Sequence, residues 1–197
     1  MYVVDVLLPC AAGFNLFEVE LMRLFISINF TDETKSHLEN LQNHLRGRYA
    51  RGNFSSRELM HLSIVFLGEC DEKDIAVIKE VMNNTNFRPF DITIERTGRF
   101  WRNNGDIWWA GVGNSKQLLD LQRNLRGRLA SRGFKFERKE YNPHITLGRE
   151  VKTVIRPMSV EPFSERVNAI YLMKSERIDG NLIYTPIHKK AASPPRS

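Results

Sequence analysis

Hydrophobic and polar residues alternate in two short segments of the chain, and each segment contains a histidine. The first covers residues 59–68 (LMHLSIVFLG) and the second covers residues 141–149 (YNPHITLGR). An alternation of period two is typical of a β-strand. Each strand then carries a histidine and a hydroxyl on one face: His61 with Ser63, and His144 with Thr146. The opposite face is predicted to point into a core through Leu62, Ile64 and Phe66 in the first strand and Ile145 and Leu147 in the second.

The two segments belong to a longer internal repeat. The sequence LQNHLRGR at residues 41–48 returns as LQRNLRGR at residues 121–128, which is 80 residues later. The two histidines lie 83 residues apart, so about three residues are inserted between helix and strand in the second copy. A repeat of this length indicates a duplication of half the chain and is too long for a solenoid.

The rest of the pattern interleaves helices with strands. Two similar halves of this kind predict an α+β protein in which two sheets meet across a cleft, with His61 and His144 facing each other by pseudo-twofold symmetry. Further strands are predicted at 23–30, 90–95, 107–112, 167–173 and 182–187. Helices are predicted to begin at Thr31 or Asp32, at Asp71 and near Leu118. The predicted connections are loops at 51–58 and 97–106, a link at 152–164 and a hairpin turn at Asp179-Gly180.

Composition indicates an ordinary globular protein with a mildly basic surface. The 197 residues are enough for one domain, or for two small lobes that share a core. A net charge of +6 fits an anionic partner, although a solvated basic surface without function is about as common. The only cysteines, Cys10 and Cys70, form no short-spaced cluster. This pattern favours a reducing compartment and excludes a disulfide framework or a cysteine-based zinc site.

The two ends of the chain differ in pattern from the middle. Residues 1–17 lack the basic start of a secretory signal, and their apolar run is too short to span a membrane. Residues 1–21 are therefore predicted to be an extension outside the fold, residues 22–188 the domain, and residues 189–197 a disordered basic tail. A lipoprotein signal that ends at Cys10 is the alternative for the extension, but the basic residues that it needs are missing.

Two imidazoles that face one cleft can share general acid and general base work. The reaction that best uses them together with two hydroxyl groups is in-line displacement at a phosphodiester. One histidine takes the proton of the attacking oxygen, and the other supplies a proton to the leaving oxygen. Ser63 and Thr146 are expected to hold the non-bridging oxygens, and Arg149 to add a phosphate contact.

Other constellations fit the sequence less well. The chain has no HExxH motif, no phosphate-cradling glycine-rich loop and no GxSxG elbow, which disfavours a metalloprotease, a nucleoside triphosphatase and a serine hydrolase. Trp101, in a loop that also carries Arg99 and Arg102, is a candidate for stacking on a nucleobase. Three further histidines are predicted to be structural or surface residues: His37, His44 and His188.

The paired motifs resemble those of a known family. RLFISI at 23–28, ELMHLSIVFLGE at 58–69 and PHITLGR at 143–149 are similar to segments of the 2H phosphoesterase superfamily, and most of all to the RNA 2',3'-cyclic phosphodiesterases, also called 2'-5' RNA ligases. The resemblance implies two similar α/β lobes around a cleft, with helices outside. It also implies that His61 is the proton donor, that His144 is the base, and that the product is a 2'-phosphomonoester formed without metal or nucleotide cofactor. Ser63 departs from the family's usual Thr but keeps the hydroxyl.

Two alternatives to hydrolysis remain open at this point. The same histidines could ligate RNA reversibly through an attacking hydroxyl of a second RNA end, as on tRNA-like halves. A chain that kept the cleft but lost catalysis would instead be an RNA-binding module. The expected partner in each case is RNA or a nucleotide 2',3'-cyclic phosphate end, with no membrane, and the protein is expected to be a cytoplasmic monomer.

Overall fold

Nine strands, three α-helices and one short 3-10 helix at Arg57–Leu59 make up the regular elements of the part of the chain that the structure describes. A computed structural model describes residues 20–48 and 50–194. The strands are β1 Met22–Asn29, β2 Arg51–Phe54, β3 His61–Cys70, β4 Phe90–Phe100, β5 Asp106–Val112, β6 His144–Lys152, β7 Ser159–Val167, β8 Ala169–Ile178 and β9 Asn181–Ala191, and the helices are α1 Asp32–Gly47, α2 Glu72–Asn83 and α3 Lys116–Ala130.

The strands form two antiparallel sheets that repeat one arrangement. The first sheet has the order β3-β1-β8-β9, and the second has the order β2-β6-β5-β4-β7. Strand β6 corresponds to β3, β5 to β1, β4 to β8 and β7 to β9, so the two sheets match strand for strand. Only β2, at the outer edge of β6, has no counterpart. The predicted α+β fold with two related sheets is confirmed, and we call the first sheet lobe A and the second lobe B.

Local sequence signals set where the helices begin. The hydroxyl of Thr31 accepts a hydrogen bond from the Thr34 amide, and Asp71 forms a reciprocal capping box with Asp74. Helices α1 and α3 each pack against the sheet of the other lobe. Helix α1 follows β1 of lobe A but contacts β6 and β7 of lobe B, and α3 follows β5 of lobe B but contacts β3 of lobe A. The lobes therefore share one core.

An extra residue interrupts the pairing of both histidine strands at the same place. In lobe A, Ser63 and Val65 pair with consecutive residues of β1, so Ile64 is a bulge. In lobe B, Thr146 and Gly148 pair with consecutive residues of β5, so Leu147 is a bulge 83 residues later. A bulge reverses the face of the residues that follow it.

The bulge corrects the predicted position of Phe66. Simple alternation places Phe66 in the core beside Leu62 and Ile64, and that prediction is wrong. Its side chain is 54% exposed and lines the cleft between the lobes. Arg149, 83 residues later, is displaced in the same way and also lines the cleft.

Several predicted loops contain strand in the structure. Strand β2 lies within the predicted loop 51–58, β4 continues to Phe100, and β7 begins within the predicted link 152–164. Strands β2 and β7 gain their hydrogen bonds from distant strands, which local sequence does not show, whereas the end of β4 pairs with the adjacent β5. The hairpin turn at Asp179-Gly180 between β8 and β9 is confirmed.

The ends of the domain differ slightly from the sequence boundaries. Strand β9 continues through Lys189 and Lys190 to Ala191, because these residues pair with the start of β8. Residues 189–191 are therefore strand, which corrects the predicted start of the tail at 189. Residues 1–19 and 195–197, which include most of the predicted extension, lie outside the described residues. None of the helices in the described part is long and apolar enough to cross a membrane.

A buried glutamine of α1 stabilises the bulge in β6. Gln42 is 2% exposed, and its Nε2 donates to the carbonyl oxygens of Leu147 at 2.7 Å and Ser55 at 2.8 Å. We expect Gln42→Met to lower the free energy of unfolding by about 1–3 kcal/mol, because the Ser55 carbonyl loses this donor and the Leu147 carbonyl keeps only the Ser55 amide. Urea unfolding would measure this. Gln117→Met, on the exposed face of α3, is the control and should change stability little.

Candidate active site

The two motif histidines are held in the same way. The Nδ1 of His61 lies 2.8 Å from the carbonyl oxygen of Leu59, and the Nδ1 of His144 lies 2.7 Å from that of Asn142. In both cases the carbonyl belongs to the residue two positions earlier. A carbonyl oxygen can only accept, so Nδ1 carries the proton of the neutral ring. Each Nε2 is therefore unprotonated in the neutral ring and can accept a proton.

Both histidines, both hydroxyl residues and the arginine line one cleft. His61, His144, Ser63, Thr146 and Arg149 all contribute to its wall, and its volume is about 930 Å³. The Nε2 of His61 lies 3.0 Å from the Oγ of Ser63. The structure therefore brings together five of the six residues singled out from the sequence.

Aromatic rings pack against each imidazole. The ring of His61 lies 4.7 Å from Phe25 and 5.1 Å from Tyr184, measured between centroids. The ring of His144 lies 4.9 Å from Phe100 and 6.2 Å from Trp109. This packing limits rotation of both imidazoles and removes water from one side of each.

The same packing changes the basicity of the histidines. Burial lowers the pKa of His61 to about 4, against a smaller rise from the Leu59 carbonyl, and the positive charge of Arg149, together with that of His144 when it is protonated, lowers it further. Burial also lowers the pKa of His144, with Arg149 and Lys139 acting in the same direction. Both rings are therefore neutral at pH 7 in the empty cleft.

A tyrosine joins the two histidine strands across the lobes. Tyr141, three residues before His144, donates its hydroxyl to the carbonyl oxygen of Ser63 at 2.8 Å. Burial raises the pKa of its phenol, so the hydroxyl remains a donor. The bond fixes the start of β6 against β3 and so sets the positions of the two motifs relative to each other.

Two cleft residues went unassigned in the sequence. Phe66 is the counterpart of Arg149 in lobe A, and the guanidinium of Arg23 lies over its ring at 5.1 Å. Tyr184 of β9 lines the cleft beside His61. The 83-residue offset would have identified Phe66 if Arg149 had been projected onto the first copy. Tyr184 offered no such signal.

The structure does not bring Trp101 into the cleft. Trp101 is 74% exposed, does not line the cleft, and stacks with the guanidinium of Arg99 at 4.8 Å. Arg99 in turn pairs with the buried Asp106. Of the neighbouring tryptophans, Trp108 is fully buried, and the half-buried Trp109 packs against His144 and does not line the cleft.

The remaining histidines lie outside the cleft wall. His37 stacks on Phe163, and His188 lies 2.9 Å from the side-chain oxygen of Asn83. In the described residues, no group of three or more histidine, cysteine, aspartate or glutamate side chains is arranged to hold a metal ion.

The lowered histidine pKa values can be measured directly. In NMR titrations of the free protein we expect the His61 ring to stay neutral as the pH falls from 7 and to gain its proton only near pH 4. Inorganic phosphate should raise the pKa of both rings, because a nearby anion favours the imidazolium. The spectrum of His61→Ala assigns the signal. Titration of His61 at its ordinary pKa of about 6.5 in the free protein would contradict the structure.

Comparison with known proteins agrees with this geometry. Residues 30–179 match the family model of the 2'-5' RNA ligase superfamily. The RNA 2',3'-cyclic phosphodiesterase of Thermotoga maritima is 37% identical over 131 residues, which are 65% of this chain and 70% of the relative. The enzyme of the same name from Methanothermobacter thermautotrophicus is 29% identical over 180 residues, which are 83% of this chain and 95% of the relative.

Solved structures show the same fold. The crystal structure of E. coli LigT complexed with 3'-AMP superposes with a TM-score of 0.78 at 22% identity, covering 89% of this chain and 100% of that one. A crystal structure described as a phosphoesterase superposes with a TM-score of 0.76 at 24% identity, with coverage of 89% and 100%. The chain belongs to the 2'-5' RNA ligase superfamily of two-histidine phosphoesterases.

Proposed function

We propose that this protein is an RNA 2',3'-cyclic phosphodiesterase that hydrolyses cyclic phosphate ends to 2'-phosphomonoesters. The observation that carries the proposal is the matched pair of imidazoles, each with Nδ1 bonded to the carbonyl two residues earlier and each lining the same cleft. The relatives from Thermotoga maritima and Methanothermobacter thermautotrophicus carry this activity in their names.

The two histidines divide the proton transfers. The Nε2 of His144 takes a proton from water, and the water oxygen attacks phosphorus opposite the leaving ribose O3'. The bond from phosphorus to O3' breaks, and the Nε2 of His61 supplies the proton that O3' needs. The phosphate stays on O2', and the two rings end with their protonation states exchanged.

The acid must be protonated before it can act, although its pKa is about 4 in the empty cleft. A cyclic phosphodiester is an anion, and its binding favours the imidazolium at His61. The substrate thus creates the protonation state that the reaction needs. Ser63, Thr146 and Arg149 donate hydrogen bonds to the non-bridging oxygens, where negative charge grows in the transition state.

We infer that the terminal nucleobase stacks on the side chain of Phe66. In this mechanism the ribose lies on the side of the acid, His61, which is in lobe A. Phe66 follows on the same strand and face, and its partner across the sheet is Phe25, which contacts His61. An exposed aromatic ring in this position suits stacking on a nucleobase of any identity.

A single chain supplies both histidines, which supports a monomer as the working form. The proposed substrate is RNA or a nucleotide with a cyclic phosphate end, and the proposed location is the cytoplasm. Ligation of a second RNA end is the alternative, because its hydroxyl would take the place of water before His144. The other alternative is an RNA-binding module without catalysis. Such a protein would bind RNA but show no turnover, with or without either histidine.

Removal of either histidine should reduce turnover without metal. We expect the wild type to hydrolyse a nucleoside 2',3'-cyclic phosphate in EDTA to the 2'-phosphate, and His61→Ala and His144→Ala each to slow turnover by roughly 10²–10⁴. Chromatography against both phosphate isomers identifies the product. His44→Ala, on the exposed face of α1, is the matched control and should keep wild-type turnover.

Two outcomes would count against this mechanism. A 3'-phosphate product would mean that O2' is the leaving oxygen and that the phosphate stays on O3'. A wild type that is inert on both nucleotide and oligonucleotide substrates would leave RNA binding as the function of the cleft.

Truncation of Phe66 tests the base site. We expect Phe66→Ala to raise KM for a nucleoside 2',3'-cyclic phosphate about 5- to 150-fold, which corresponds to about 1–3 kcal/mol of stacking. Val154→Ala removes another exposed apolar side chain, one that does not line the cleft, and should leave KM unchanged. An unchanged KM in Phe66→Ala would place the base elsewhere.

A further inference from the structure

Arg149 is an exposed cation in the cleft, yet its immediate neighbour in the chain is a carboxylate. Within the described residues, Arg149 forms no salt bridge, although Glu150 follows it directly. An arginine that is to receive a phosphate must not be neutralised by a nearby acid. The surroundings of Glu150 show how the two charges are kept apart.

The backbone of Glu150 has a conformation that side chains seldom adopt. Its φ is +54°, in the left-handed region. Two neighbouring glycines allow it. A Cβ on Gly105 would lie 2.6 Å from the carbonyl carbon and oxygen of Glu150, and a Cβ on Gly52 would lie 2.9 Å from the same oxygen. The peptide group after Glu150 therefore packs directly against the backbone of Gly52 and of Gly105, where a side chain would not fit.

Lobe A has its positive-φ residue one position later in the repeat, where it is a glycine. There the residue with positive φ after Phe66 is Gly68, at +80°, and a glycine adopts this region without strain. Lobe B keeps a glutamate in the left-handed region beside Arg149. A non-glycine residue in this region is typical of a constrained functional position.

The carboxylate of Glu150 has a specific partner. The side-chain amide of Asn53 donates to its Oε2 at 2.7 Å. Asn53 lies on β2, opposite Arg149 in the register of β2 and β6, and it lines the cleft. Among the strands that the structure describes, β2 alone has no counterpart in lobe A. Strand β2, which lobe A lacks, thus supplies Asn53, and Asn53 binds the carboxylate of Glu150 next to Arg149.

We propose that Asn53 and the left-handed backbone conformation of Glu150 hold the Glu150 carboxylate away from Arg149, so that the guanidinium stays unpaired and available to the substrate phosphate. Asn53 and Glu150 are then positioning residues that act through Arg149. The inference rests on the phosphate-binding role proposed for Arg149.

Asn53→Ala should release the carboxylate to compete with phosphate for Arg149. We expect KM for a nucleoside 2',3'-cyclic phosphate to rise about two- to fivefold at low salt, the effect of an exposed ion pair, with kcat unchanged. The increase should shrink at 1 M salt, where such pairs are screened. Asn43→Ala removes another exposed asparagine, one outside the cleft, and should change neither constant.

The double variant Asn53→Ala/Glu150→Gln distinguishes this role from simple loss of structure. Without the negative charge at position 150, KM should return to the wild-type value even though Asn53 is absent. A general disturbance of β2 would leave KM raised in the double variant. That result, or an unchanged KM in Asn53→Ala alone, would overturn the proposal.

Binding of inorganic phosphate, measured by calorimetry, separates this inference from the proposed function. If the wild type binds phosphate but does not hydrolyse cyclic phosphates, the proposed reaction fails while the three proteins still test the role of Asn53. Weaker phosphate binding in Asn53→Ala, restored in the double variant, supports the inference whatever the reaction. Equal phosphate affinity in all three proteins refutes it.

Discussion

The bulge that interrupts each histidine strand is the constraint on which the rest of the site depends. Without the extra residues at Ile64 and Leu147, strict alternation would turn Phe66 and Arg149 towards the core. With them, each strand presents a histidine, a hydroxyl and a third side chain to the cleft. The buried side-chain amide of Gln42 stabilises the bulge in β6, because it donates a hydrogen bond to the carbonyl oxygen of Leu147.

Symmetric backbones carry asymmetric chemistry in this protein. The two histidines and the two hydroxyls occupy matched positions, but the third position is an aromatic ring in lobe A and a guanidinium in lobe B. A nucleotide end is asymmetric in the same sense, with a flat aromatic base at one side and a charged phosphate at the other. Strand β2 adds to the difference, because it brings Asn53 next to Arg149 in lobe B alone.

Burial serves the site by keeping the imidazoles neutral. Aromatic neighbours exclude water from both rings, and Arg149 adds positive charge, so the cationic forms are disfavoured until an anion enters. The carbonyl bonds at Nδ1 are compatible with either protonation state, because that nitrogen donates in both. The ring orientation therefore does not change when the proton moves on or off Nε2.

The duplication, the α+β class and the pairing of His61 with His144 follow from the sequence alone, because they depend on local periodicity and on similarity between two segments. The sequence left the cap of α1 open between Thr31 and Asp32, and the structure shows that it is Thr31. The sequence failed where a distant strand decided the outcome. The face of Phe66 depends on the register with β1, and strand β2 exists only because β6 offers it hydrogen bonds. Trp101 was predicted to stack on a base because its loop also carries Arg99 and Arg102. The tertiary structure places it outside the cleft. The contact between Asn53 and Glu150 spans 97 residues, and no local pattern encodes it, since it arises from the packing of backbone against glycine.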